Sequence, residues 1–419
     1  MNVLIKQVQI ISPSSPLNGQ TKDIFITDGE ISKIADDIKE KAAQTIEQNG
    51  LCVSIGWVDM FSDFGDPGFE QKENMESGAN AAAAGGFTDV MLMPNSNPVV
   101  DTKSQVEYII QKAKQLAVHI HPVGAVTKKT AGTELSEMYD MRQSGAIAFS
   151  DGINPVQNSG LLLKSLQYVK SFDGIVIQIP DDTSIGANGL MNEGIISTQM
   201  GLPGKPVLAE ELMVARDIKL ARYAESKLHF TGVSSPKSLE YIKRAKEAGI
   251  KVSCSVTPYQ LYFCDEDLQQ YDSNLKLNPP VRNHQDMIAI RKALLEGSID
   301  CIASHHLPQH WDSKTCEFEY AKPGMIALES MFAVLLSCGL PVADFVQMQT
   351  INVRKLFGLP VPELREGEPA SITLFFPDTE FIFTEKMIHS KSKNSPFINK
   401  KLKGKVFGII NKSRIHLNN

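Results

Sequence analysis

No uninterrupted apolar stretch in the sequence approaches the roughly 18 residues needed to cross a bilayer, which argues against a membrane-spanning protein. The start, Met1-Asn2-Val3-Leu4-Ile5-Lys6, lacks the basic, apolar, then small order of an export signal and reads as an edge strand. A cytoplasmic protein is therefore expected. There is no C-x-x-C pair. The six cysteines (Cys52, Cys254, Cys264, Cys301, Cys316, Cys338) are scattered, several within apolar runs, as suits reduced, buried thiols better than bridges or a zinc ribbon. No basic block occurs and the formal net charge is -6, so nucleic acid is not the expected partner. The absence of a G-x-S-x-G elbow, a P-loop and a Rossmann fingerprint sets aside phosphate and dinucleotide chemistry. Neither an internal repeat nor a low-complexity tract is present.

What remains is the composition of a folded domain: 419 residues, 42% apolar, with 29 Gly and 22 Pro. That length exceeds the usual single domain, while barrel enzymes commonly use about 250 residues for one domain and add a smaller one. Residues 1–55 carry alternating, β-branched segments (Val3 to Ile10, Asp23 to Ile26, Ile31 to Ile34) parted by Ser-Pro, Asp-Gly and Asn-Gly turns. From Trp57 the pattern becomes apolar strand, polar loop, amphipathic helix, repeated, as βαβ units require. The strands expected are Trp57 to Asp63, Thr88 to Met93, Val118 to Val126, Ala146 to Ser150, Gly174 to Ile179, Leu228 to Val233, Ile250 to Val256 and Ile299 to Ser304. Eight parallel strands favour a closed (β/α)8 TIM barrel over 56–358. Ser235-Pro236 reads as a cap and first-turn proline, and Gly249 as the end of that helix. After Gly358-Leu359-Pro360, residues 359–419 return to strands (Ser371 to Phe376, Lys405 to Ile410). The two terminal β segments are expected to pair into one small β-sandwich.

Five stretches are specific. The first strand runs Gly56-Trp57-Val58-Asp59-Met60-Phe61-Ser62-Asp63-Phe64-Gly65 into Asp66-Pro67-Gly68. The fourth ends Phe149-Ser150-Asp151-Gly152, the fifth Gln178-Ile179-Pro180-Asp181, the sixth Gly232-Val233-Ser234-Ser235, and the eighth Ser304-His305-His306-Leu307-Pro308-Gln309-His310. Together with Met93-Pro94-Asn95 and Asn278-Pro279-Pro280, these resemble the dihydroorotases and related cyclic amidohydrolases of the amidohydrolase superfamily. The match covers nearly the whole chain.

That resemblance implies a barrel of the metallo-dependent hydrolase type. It also implies a binuclear metal site with His-x-His on strand one, a carboxylate or modified lysine after strand three or four, His on strands five and six, and Asp on strand eight. Here those positions hold Phe61 and Asp63, Asp151, Gln178, Gly232 and His305. A phenyl ring and a glycine offer no donor, and an amide oxygen is a poor zinc ligand beside imidazole. Period-two alternation puts Phe61 and Asp63 on one face of the strand. The family's substrate-clamping Arg and His are replaced by Gly65 and Gln309, whereas Asn95 and Asn278 keep the substrate-binding Asn positions. An Asn beside Pro also serves loop geometry through bonds to backbone. His119 and His121, an H-x-H in an apolar setting on strand three, read as structural, with no further ligand expected beside them.

The resemblance is thus to the non-catalytic, dihydroorotase-like members of the family, which act as assembly partners of aspartate carbamoyltransferase in pyrimidine biosynthesis. No cofactor is expected on that reading. The alternative is an active cyclic amidohydrolase with zinc on an altered set drawn from Asp63, Asp151, His305, His306 and His310, His305 taking the catalytic Asp position and a pyrimidine precursor as substrate. A third reading is a sensor that holds a pathway metabolite through Asn95 and Asn278. A homo-oligomer remains compatible with each.

Overall fold

The computed structural model describes residues 2–418. Eight parallel strands follow one another around a barrel: Trp57–Ser62, Phe87–Leu92, His119–Gly124, Ala148–Phe149, Ile175–Gln178, Lys227–Phe230, Val252–Val256 and Cys301–Ile302. The ring is completed by a parallel bridge between Ser62 and His306, with Asp63 N–H donating to the His306 carbonyl at 2.9 Å. Every barrel strand expected from the sequence is present, most of them trimmed by one to three residues at an end, while the second and sixth begin one residue earlier than expected. Because a parallel strand is covered on both faces, these segments are mainly apolar, and Trp57–Ser62, Phe87–Leu92 and Val252–Val256 are wholly buried, including the few polar side chains they carry.

A helix follows each strand, from Met75–Ala84 after the first to Met331–Ser337 after the eighth. The Pro236–Glu247 helix starts as its sequence signals: Ser235 Oγ accepts from Lys237 N and Ser238 N, proline occupies the first turn, and Gly249 just beyond the end has φ +74°. The barrel interior holds Val58, Met60, Phe61, Met91, Met93, Val123, Ile175, Ile177, Cys301 and Ala303, and the helix Val353–Phe357 seals its lower end with Val353 and Phe357.

The terminal segments pair edge to edge through Cys52–Ile55 and Ser371–Ile382 in one eight-stranded sheet. Trp57 ties this sheet to the barrel, its ring 4.8–6.1 Å from those of Phe87, Phe332, Phe345 and Phe375. From the sheet, residues 384–400 reach back over the barrel: Asn394 Nδ2 donates to the carbonyls of Leu307 (3.3 Å) and Gly324 (3.1 Å), and Lys391 N to Glu73 Oε1 at 3.1 Å. No described helix is long and apolar enough to cross a membrane, and no cysteine is paired among the described residues.

Candidate functional site

Function in such a barrel gathers where the strands end in loops on the C-terminal side. Three of the positions assigned to metal ligands by resemblance meet there in one contact. The His305 ring stacks on the Phe61 ring, centroids 4.1 Å apart and planes 22° apart. Gly232, at φ +71°, lies under the same imidazole, and a β-carbon there would sit 2.7 Å from His305 Cε1. Only glycine leaves room for that ring and also accepts the left-handed backbone. His305 itself has φ +46° and its Nε2 shares a 2.8 Å hydrogen bond with Thr231 Oγ1. Burial pushes its pKa down to about 3, so the ring is neutral at physiological pH.

The polar chain continues inward from Thr231, whose Oγ1 accepts from Ser255 Oγ at 2.9 Å. Ser255 Oγ in turn lies 3.1 Å from His229 Nε2, and Ser253 Oγ 2.8 Å from His229 Nδ1. Strands six and seven therefore fill their part of the interior with hydrogen-bonded hydroxyls and imidazole. His229 is wholly buried, and burial drives its pKa to about 3. Nothing in the local sequence announced this chain, because it depends on which residues of adjacent strands lie level.

The other assigned positions are engaged elsewhere. Gln178 faces the surrounding helices: its Oε1 accepts from Val156 N at 3.3 Å, and its Nε2 donates to Val156 O at 3.2 Å and Asp217 Oδ2 at 3.4 Å. Asp151 accepts from Thr127 N at 2.8 Å with one oxygen and from Thr127 Oγ1 with the other. Burial raises its carboxyl to about 6 against those bonds. Asp63 lies beyond the strand end, partly exposed, and accepts from Gly65 N at 2.7 Å. A register shift between Asp59 and Ser62 breaks the expected alternation, so Met60 and Phe61 both enter the interior and Asp63 is not carried onto the same face.

His306 is fully buried with Nδ1 accepting from Ala327 N at 3.2 Å, which leaves the proton on Nε2, 3.7 Å from Glu73 Oε2. Glu73 is also buried and bonded to Ser77 Oγ, Ser390 Oγ and Lys391 N. Burial raises its pKa, but the imidazole of His306 beside it and the hydroxyls of Ser390 and Ser77 outweigh that and leave it lowered. His310 stands apart, half-buried beside Trp311, with Nδ1 3.3 Å from Asp312 Oδ2. The altered set Asp63, Asp151, His305, His306 and His310 is thus not brought together, and no group of three or more His, Cys, Asp or Glu able to hold a metal exists among the described residues. The donors at this mouth do not fit a binuclear centre.

The substrate positions are likewise occupied by protein. Asn95 Nδ2 donates to Asp151 O at 3.0 Å and its Oδ1 accepts from Ile153 N at 3.1 Å, pinning the loop after strand four. Gly65, at φ +63°, would bring a β-carbon 2.8 Å from Phe69 O, and Gln309 donates to Pro323 O at 2.9 Å. Asn278 is exposed and accepts from Lys205 Nζ at 2.7 Å; the same ammonium lies 2.6 Å from Asp181 Oδ2. Asn278, Asp181 and Lys205 line a mouth cavity of about 300 Å³ that Asn95 does not reach. The sequence offered no sign of Lys205, which arrives from the long excursion after strand five.

His119 and His121 lie near the opposite end of the barrel, and a carboxylate does stand beside them. Asp89 Oδ1 is 2.8 Å from His121 Nε2 and 3.5 Å from His119 Nδ1, while Oδ2 accepts from Arg354 at 2.8 Å. The guanidinium on the shared carboxylate makes this an ion-pair network in place of a metal set.

Comparison with known proteins agrees with this architecture. The model of the family described as dihydro-orotase-like matches residues 51–238, and that of the amidohydrolase family matches residues 188–408. The chain is 38% identical over 422 aligned residues to a dihydroorotase of Syntrophus aciditrophicus, covering 99% of both chains. It is 40% identical over 411 residues to one of Acetivibrio thermocellus, covering 97% of this chain and 96% of that one. Among solved structures, an L-hydantoinase of Arthrobacter aurescens superposes with a TM-score of 0.86 at 22% identity, over 99% of this chain and 95% of that one. The chain therefore belongs to the dihydroorotase family of the amidohydrolases.

Proposed function

We propose that this chain is a dihydroorotase-like protein of pyrimidine biosynthesis that does not turn over dihydroorotate and serves in the cytoplasm as an assembly partner of aspartate carbamoyltransferase. The observation that carries the first half is the interlock of Phe61, Gly232 and His305. Three replacements, distant in sequence, fit one another sterically and close the mouth with a stacked ring pair. A single lost ligand would leave its neighbours in place and a gap between them. The partner role rests on the family resemblance of such ligand-poor members.

The second reading, an active cyclic amidohydrolase, draws on the full-length likeness to relatives named dihydroorotase. It would need Asp63, Asp151 and the three histidines to gather around zinc, yet Asp63, Asp151, His305 and His306 are bonded elsewhere and His310 stands apart beside Asp312. Sedimentation velocity of the chain mixed with the aspartate carbamoyltransferase of the same cell tests the partner role; a faster common boundary is expected, and independent boundaries at cellular concentrations would reject it. Metal analysis of the purified protein should find zinc well below one ion per chain, whereas stoichiometric zinc would favour the second reading.

A further inference from the structure

On the C-terminal side of the barrel, the excursions after strands five, seven and eight enclose an apolar groove of about 510 Å³ outside the plugged mouth. Its floor is Leu202 and Phe318, both buried, with Met200 half-buried. Two rings stand over the floor with much of their surface in water: Tyr271, 47% exposed, and Tyr320, 74% exposed. Tyr271 is held in place, since its Oη donates to Met200 O at 2.8 Å. Ile195, 76% exposed, begins the short helix that ends at Met200.

The rim has one sign of charge. Glu317 and Glu319 flank Phe318, both exposed, and neither carboxylate forms an ion pair or hydrogen bond among the described residues. Two lysines beneath the rim are spent on backbone and form no ion pair with them, although the Glu319 charge reaches Lys276: Lys276 Nζ donates to the carbonyls of Phe318 (2.8 Å) and Glu319 (2.7 Å), and Lys314 Nζ to Ser273 O at 2.7 Å. Both ammoniums sit beneath the loop, which they stiffen. A preformed apolar floor, two exposed tyrosines and two free carboxylates are complementary to one side chain above others. A guanidinium stacks on a tyrosine face and forks to a carboxylate at once, and a neighbouring apolar residue can take the floor.

We propose that this groove docks an arginine-bearing, apolar segment of a partner protein. The proposal stands on the groove alone and holds whether or not the barrel turns over. Burying two tyrosines against such a segment gives the aromatic and arginine centre typical of interface hot spots.

The test pans a displayed random heptapeptide library against the full chain, with counter-selection on the Tyr271→Ser/Tyr320→Ser double variant. Retained sequences are then made as fluorescein-labelled peptides and titrated by anisotropy against wild type, Tyr320→Ser and Glu317→Lys/Glu319→Lys. Since all four side chains are exposed, unchanged circular dichroism and urea midpoint verify folding. Retained peptides should carry Arg beside Leu, Met or Phe and lose at least about tenfold in affinity to each variant, with Arg→Glu peptides silent. The proposal is overturned if no peptide depends on the tyrosines, or if those retained are acidic or lack Arg. It is also overturned if the chain self-associates in sedimentation and Tyr320→Ser abolishes that, which would assign the groove to a second copy.

Discussion

Replacing Gly232 by alanine probes the plug directly. The new β-carbon would lie 2.7 Å from His305 Cε1, well inside contact distance, and the residue would keep φ +71°. A left-handed backbone costs a non-glycine residue roughly 1–2 kcal/mol, and forcing a methyl into a packed interior about 1–3 kcal/mol, so Gly232→Ala should destabilise by about 2–5 kcal/mol. Truncating the imidazole removes the clash and leaves the backbone cost. In a His305→Ala background the same substitution should therefore cost only about 1–2 kcal/mol, a coupling of about 1–3 kcal/mol between the two sites. Urea unfolding of the wild type, both single variants and the double variant, followed by far-ultraviolet circular dichroism, yields that coupling. Additivity to within about 0.5 kcal/mol would mean that the ring does not occupy the space above Gly232, and the interlock would fail.

Phe61→Ala should cost about 3–5 kcal/mol by opening a cavity beneath His305, and Phe61→Leu clearly less, both read from the same urea curves. Lys205→Met leaves the buried Asp181 carboxylate without its cation, so a loss of about 3 kcal/mol and faster proteolytic cleavage within residues 183–204 are expected; unchanged cleavage would contradict the bridging role. Burial lowers the Lys314 ammonium to about 7 from its ordinary 10.5. Between those values the unfolded chain binds more protons than the folded one, so this group makes stability rise with pH there. Wild type should accordingly gain more than Lys314→Met between pH 7 and 9, by up to about 2 kcal/mol in urea titrations; equal gains would refute the assignment.

Much of the barrel is legible in the sequence, because parallel strands covered on both faces must be apolar and the helix caps carry local signals such as Ser235-Pro236. At two of the positions that the resemblance assigns to metal ligands, the sequence also shows residue types that offer no donor, Phe61 and Gly232. What Phe61, Gly232 and His305 do to one another is not legible, since their contact joins the first, sixth and eighth strands. Asp63 was misplaced by alternation because the register shift after Asp59 has no sequence signature. Asp89 beside His119 and His121 needs the pairing of the second and third strands, and Lys205 on Asn278 needs the path of a long loop. The last two are polar contacts between segments far apart in the chain, where local pattern is silent.

The most direct measurement is turnover itself: ring opening of dihydroorotate and ring closure of carbamoyl-aspartate by the purified chain, with and without added zinc. The plugged mouth predicts no rate above that of the solution in either direction. A rate proportional to protein concentration, and lost with a chelator, would contradict it.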